Sequence, residues 1–179
     1  MSRSTLLLVI LTVSCARHSA VTTPVTTAVM PAAGATTLTL RSIPELGSVL
    51  PGLPASHTRT LASSAQLWPS YEAVVDGIAF TIGVDDRSRV RFVSTHDARF
   101  VSPEGLRTGA SMDATLRTAK EPLFAEAGWG HYVELPSGWS VLLEDAARMV
   151  DGRMDFNLGT RDLRPDARIS MFFKRGGGE

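Results

Sequence analysis

The stretch from Glu72 to Ser94, "EAVVDGIAFTIGVDDRSRVRFVS", limits the fold of this chain more than any other feature. Ile78, Phe80 and Ile82 alternate with Ala79, Thr81 and Gly83. Successive side chains of a strand point to opposite faces, so this spacing predicts a strand with one strongly apolar face. Beyond Asp85-Asp86-Arg87-Ser88, Val90, Phe92 and Ser94 alternate with Arg89, Arg91 and Val93, which predicts that Val90 and Phe92 share a face. Asp76-Gly77 is a hairpin dipeptide, because both central residues of the tightest turn need positive φ. Together these residues predict an antiparallel meander buried on one side.

The flanking chain extends that sheet. "LTL" at Leu38–Leu40 reads as an N-terminal strand, and Arg99-Phe100-Val101 as a short extension before a loop from Pro103 to Gly109. Ser111 is placed to cap a helix carrying Met112, Leu116 and Ala119 at helical spacing, with Asp113 in the first turn and Pro122 as its stop. His131 to Leu135 and Trp139 to Glu144 form a hairpin through Pro136-Ser137-Gly138, and Ala167 to Phe173 is a last strand. Residues 41–71, with Pro44, Pro51, Pro54 and Pro69, cannot hold a long helix and read as irregular chain laid over the domain. The expected fold is α+β: a mostly antiparallel β-sheet of about six or seven strands with one short helix. It forms a single domain over 38–175, followed by a disordered end at 176–179.

Ahead of this domain stands "LLLVILTVSCAR", Leu6 to Arg17. The apolar run from Leu6 to Val13 is far shorter than the roughly 20 residues needed to span a bilayer, and has the length of a secretory h-region. With Val13-Ser14 before the chain's only cysteine, the segment resembles a bacterial lipoprotein signal, although Thr12 stands where a branched apolar residue is usual. The resemblance implies cleavage between Ser14 and Cys15 and attachment of diacylglycerol and palmitate-like acyl chains to Cys15. Two or more chains anchor stably where one is marginal. The alternatives are an ordinary cleaved signal, cut near Ser14 or Ala20, and an uncleaved N-terminal anchor, which the short apolar run argues against. Residues 1–14 would be the signal peptide, and 15–37, rich in Thr, Ala, Val and Pro, a flexible tether of roughly 25 Å reach. The expected location is the bacterial cell envelope, on the periplasmic face of the outer membrane if the cell is Gram-negative, since Ala16 is non-acidic. After Cys15 no disulfide and no cysteine metal site can form.

Candidate chemistry is sparse. His96 and His131, the first beside Asp97, could serve a small periplasmic enzyme or ligand-binding domain if acidic partners met them in a pocket. Neither has the i, i+4 spacing of a metal helix, and no cofactor or metal site is expected. Ser137 lies in a hairpin turn rather than a nucleophile elbow, and Asp85-Asp86 reads as a solvated turn. Lys and Arg equal Asp and Glu at 18 each, so nothing favours nucleic acid. Trp129, Tyr132 and Trp139 in "AGWGHYVELPSGW" are the candidate partner-binding residues, with Trp129 between two glycines at the centre.

"LRTGASMDATLRTAKEP" resembles a stretch in small outer-membrane assembly lipoproteins of the SmpA/OmlA type, through Gly109, Ser111 and Pro122 and an aromatic hairpin that carries Tyr132. Ala119-Lys120 departs from the Leu-Gly of that pattern. The resemblance implies a two-layer α+β domain that acts as a protein-binding accessory without catalysis. The expected role is therefore a lipid-anchored, non-catalytic binding module with an envelope protein as partner.

Overall fold

A computed structural model describes residues 36–62, 66–119, 124–126, 129–144, 149–150, 153–154 and 166–176. All of them fall in one compact unit, 32–179. The proposed lipidation site Cys15, the signal and most of the tether lie outside the described residues, as does Pro122.

The strands are β1 (Leu38–Leu40), β2 (Thr58–Leu61), β3 (Leu67–Val75), β4 (Ile78–Val84), β5 (Val90–Thr95), β6 (Phe124–Glu126), β7 (Gly130–Glu134), β8 (Ser140–Glu144), β9 (Met149–Val150), β10 (Arg153–Met154) and β11 (Arg168–Arg175), with helix α1 (Met112–Thr118). Nine form one sheet in the order β1-β3-β4-β5-β11-β8-β7-β6, with β2 beside β1 on the same edge of β3; β9 and β10 form a separate pair. Every pairing in the large sheet is antiparallel except β1 with β3. The α+β class with one short helix is therefore observed, with more strands than expected.

One extra strand comes from the segment read as irregular. β2 pairs with the N-terminal part of β3, where Arg59 faces Pro69. Proline lacks the ladder donor and is tolerated there because Pro69 lies outside Ser70–Val75, the part of β3 that pairs with β4. The Asp76-Gly77 turn takes positive φ at both residues, 50° and 78°, as its sequence requires.

A bulge corrects the expected facing of β5. Gly83 pairs with Phe92 but Val84 pairs with Val90, so Arg91 is the extra residue. Val90 and Val93 consequently enter the main core with Phe80, Ile82 and Phe172, while Phe92 points to the opposite face. A second irregularity between Ile169 and Met171 does the same to β11, sending Ile169 and Phe172 to the main core and Met171 and Phe173 to the other side.

α1 covers the main core. Ser111 caps it, its hydroxyl accepting from the Ala114 N–H at 3.4 Å, and Met112 and Thr115 are its buried residues. The helix ends where Ala119 turns extended. The expected extension at 99–101 is instead a turn that inserts Phe100 among Phe80, Trp139 and Phe172. Among the described residues no helix is long and apolar enough to cross a membrane.

Candidate functional site

The second face of the sheet is built around adjacent central strands. Phe92 of β5 and Phe173 of β11 are wholly buried there. Gly83 makes room for Phe92 and for Trp68: a Cβ at this position would stand 3.1 Å from the Phe92 Cβ and 3.2 Å from the Trp68 Cβ. Trp129, in the turn before β7, lays its ring edge-on against both phenylalanines, at centroid distances of 6.0 and 5.5 Å. It is half-buried, and its indole N–H is buried without a hydrogen-bond partner among the described residues.

Tyr132 stands on the same face. Its ring stacks on Phe124 at 5.2 Å and meets Phe173 edge-on at 5.5 Å. Arg175, at the end of β11, donates to the Tyr132 hydroxyl at 2.6 Å and to the Ala62 carbonyl at 3.2 Å. Its guanidinium also pairs with Glu126 at 2.8 Å and lies 5.0 Å above the Tyr132 ring. Burial pushes the Tyr132 phenol up, Arg175 pulls it down and Glu126 pushes it up, with a net rise. Tyr132 is thus a neutral phenol at physiological pH, a packing and hydrogen-bonding group rather than a base.

Trp139 does not join them. It is buried on the main-core side against Phe100, with the Lys174 ammonium 5.0 Å from its ring centre. The fold therefore brings together two of the three aromatic candidates and adds Phe124, Glu126 and Arg175. No local signal in the sequence could pair Arg175 with Tyr132; they meet because β11 and β7 both flank β8.

The two histidines also separate. His96 is exposed, its Nδ1 3.0 Å from the Ser170 carbonyl. His131 is 2 % exposed, with Nε2 lacking a partner among the described residues, and burial pushes its pKa down. Asp97 is committed to Arg99 and to the backbone N–H groups of Ala79 and Arg99, which hold its carboxyl well below the usual range. Neither histidine is bonded to a carboxylate among the described residues, and no group of three or more His, Cys, Asp or Glu there could hold a metal.

Of two polar turns singled out in the sequence, one departs from its reading and the other keeps it. Asp85 is not solvated: it is buried and accepts from the Arg87 and Arg89 N–H groups at 3.0 and 2.9 Å and from Arg91 Nε at 2.9 Å. Burial pushes its carboxyl up, but these donors outweigh it and the net shift is down. Ser137 does lie in a hairpin turn, and its N–H donates to Glu104 Oε1 at 2.7 Å. Burial pushes the Glu104 carboxyl up, and the Ser137 backbone and hydroxyl beside it bring it below its ordinary value.

No protein-family model matches the chain, and no curated protein matches it. Among solved structures, the chain is similar to the uncharacterized protein yfeY from Escherichia coli, with a TM-score of 0.45 and 12% identity over 69% of this chain and 83% of that one.

Proposed function

We propose that this chain is a lipid-anchored bacterial envelope protein, a non-catalytic binding or accessory module held to the membrane through Cys15. The observation that carries the reading is the order of the N-terminal residues: a short apolar run, then Val13-Ser14, then the chain's only cysteine. A signal of this kind delivers a protein to the far side of the cytoplasmic membrane and leaves a lipid on its first residue. The likeness of residues 106–122 to outer-membrane assembly lipoproteins supports an accessory role there. The partner is an envelope protein, met at the second face of the sheet beside Trp129 and Tyr132. An aromatic cluster beside a guanidinium suits protein recognition, since large rings and arginine bring contact area and directed hydrogen bonds.

Growth of cells with an alkyne fatty acid, comparing wild type with Cys15→Ala, tests the reading. Label on the wild type that disappears in the variant, together with its membrane fractionation, is the expected result. An exported wild-type chain that carries no label would remove the anchor and leave a freely diffusing domain.

A further inference from the structure

One end of the large sheet carries features that the second-face site does not use. β3 begins there at Leu67, β4 ends there at Val84 and β5 starts there at Val90, because Ser70 pairs with Gly83 and Gly83 with Phe92. Residues 47–50 bond to the same end, through Gly47 N–H to the Val90 carbonyl and Leu50 N–H to the Ser88 carbonyl. Four of the five large apolar side chains left exposed among the described residues are gathered here: Leu46, Val49, Leu61 and Leu67. Leu61 and Leu67 face each other across the β2–β3 pair, and Trp68, half-buried, follows.

Arginines surround them. Arg59, Arg87 and Arg89 are exposed, and none is engaged by a carboxylate among the described residues. Arg59 and Arg89 instead donate to the Leu67 and Gly47 carbonyls. Of the acids nearby, Asp85 is buried and held by Arg91, leaving Glu45 and Asp86 at the surface. Exposed leucines with a tryptophan and surrounding arginines are the composition of a surface that seats in the headgroup layer of an anionic bilayer.

The path of the chain agrees. Among the described residues β1 is the one strand parallel to β3, so Thr36 and Thr37 lead into Leu38 from this same end. Leu38 is level with Ala73, six residues along β3 from Leu67, or roughly 20 Å. The number of residues between Cys15 and Leu38 gives a chain that can reach about 25 Å, enough to let that end rest on the surface that holds the lipid.

From these three observations we propose that the end of the sheet bearing Leu61, Leu67 and Trp68 docks on an anionic lipid bilayer, with Arg59, Arg87 and Arg89 against the phosphates. The orientation rests on the anchored reading, and it leaves the second face, with Tyr132 and Arg175, turned to the side for a protein partner.

The test uses the full chain reconstituted in vesicles of equal phosphatidylcholine and phosphatidylglycerol with brominated acyl chains. Mass measurement of the purified protein first reports whether Cys15 is acylated. A mass without acyl chains overturns the anchor reading, and docking is then tested with the Cys15 thiol coupled to a maleimide phospholipid. Bromine quenches tryptophan only at close range. The expected result is quenching of Trp68 emission that falls at least two-fold in Leu61→Ser/Leu67→Ser, and also in Arg87→Glu or at high salt. Trp68→Phe identifies the share of emission that belongs to Trp129 and Trp139. Quenching that the leucine pair and Arg87→Glu leave unchanged, or that persists in Trp68→Phe, overturns the proposal. That outcome would turn this end away from the bilayer and toward a protein.

Discussion

His131 gives the fold a pH dependence of defined sign. Its ring is buried on β7, opposite Leu143 of β8 and Ala125 of β6, with Val133 next on its own face. Nε2 has no acceptor or donor beside it among the described residues, and burial is the cause of its lowered pKa. The unfolded chain binds a proton on this residue near the ordinary value of 6.5, whereas the folded chain resists it. Below that pH the unfolded state holds more protons, so stability rises with pH. The contribution is complete above 6.5 and is lost as pH falls, at up to about 1.4 kcal/mol per unit until the folded pKa is reached. Urea unfolding of wild type and His131→Leu, followed from pH 7.5 to 5, measures it. Leucine fills similar space without a buried polar atom, so the variant should match or exceed wild type at pH 7.5 and show a flatter profile. Equal slopes in the two proteins would refute the argument.

Asp85→Ala removes three donor contacts from one buried carboxylate and should cost about 2–3 kcal/mol in denaturant unfolding. Because that carboxyl is held below its ordinary 3.8, its stabilisation is present above this pH and fades as pH falls through the folded value, so Asp85→Asn should flatten the acid-unfolding curve. Gly83→Ala would place a Cβ against the Phe92 and Trp68 Cβ atoms, and thermal melting should report a loss of about 1–3 kcal/mol.

Residues whose neighbours are close in sequence were legible in it. The Asp76-Gly77 turn, the Ser111 cap and the 131–144 hairpin each depend on a few adjacent residues, and each is found where those residues place it. What was not legible depends on pairing partners. Nothing in "RSRVRFVS" marks Arg91 as a bulge; it becomes one only because β4 fixes Val84 against Val90. That single extra residue moves Phe92 from the expected core to the other face. β2 was hidden for a similar reason, since its polar "TRTL" has no apolar period and is ordered by β3. The candidate site follows the same division. Tyr132 could be named from its hairpin, but Arg175, 43 residues away, comes to it only through the order of the strands.

The bulges also change how Trp129 should be tested. A sheet with one polar face needs no cover, yet Phe92 and Phe173 are apolar and buried on the side that simple alternation assigns to solvent. Trp129 supplies part of their cover by edge-on contact with both rings. Trp129→Ala would therefore open a cavity over the central strands and cost about 3–5 kcal/mol. Partner binding lost in that variant would report unfolding as readily as a missing contact. Trp129→Phe keeps an aromatic cover and removes the unpaired indole N–H, so it should cost about 1–2 kcal/mol or less. Crosslinking of envelope neighbours in the phenylalanine variant, with its melting temperature measured alongside, separates the two roles. A partner yield that falls while stability holds assigns Trp129 to recognition, and an unchanged yield makes it a cover for the sheet, with recognition left to Tyr132 and Arg175.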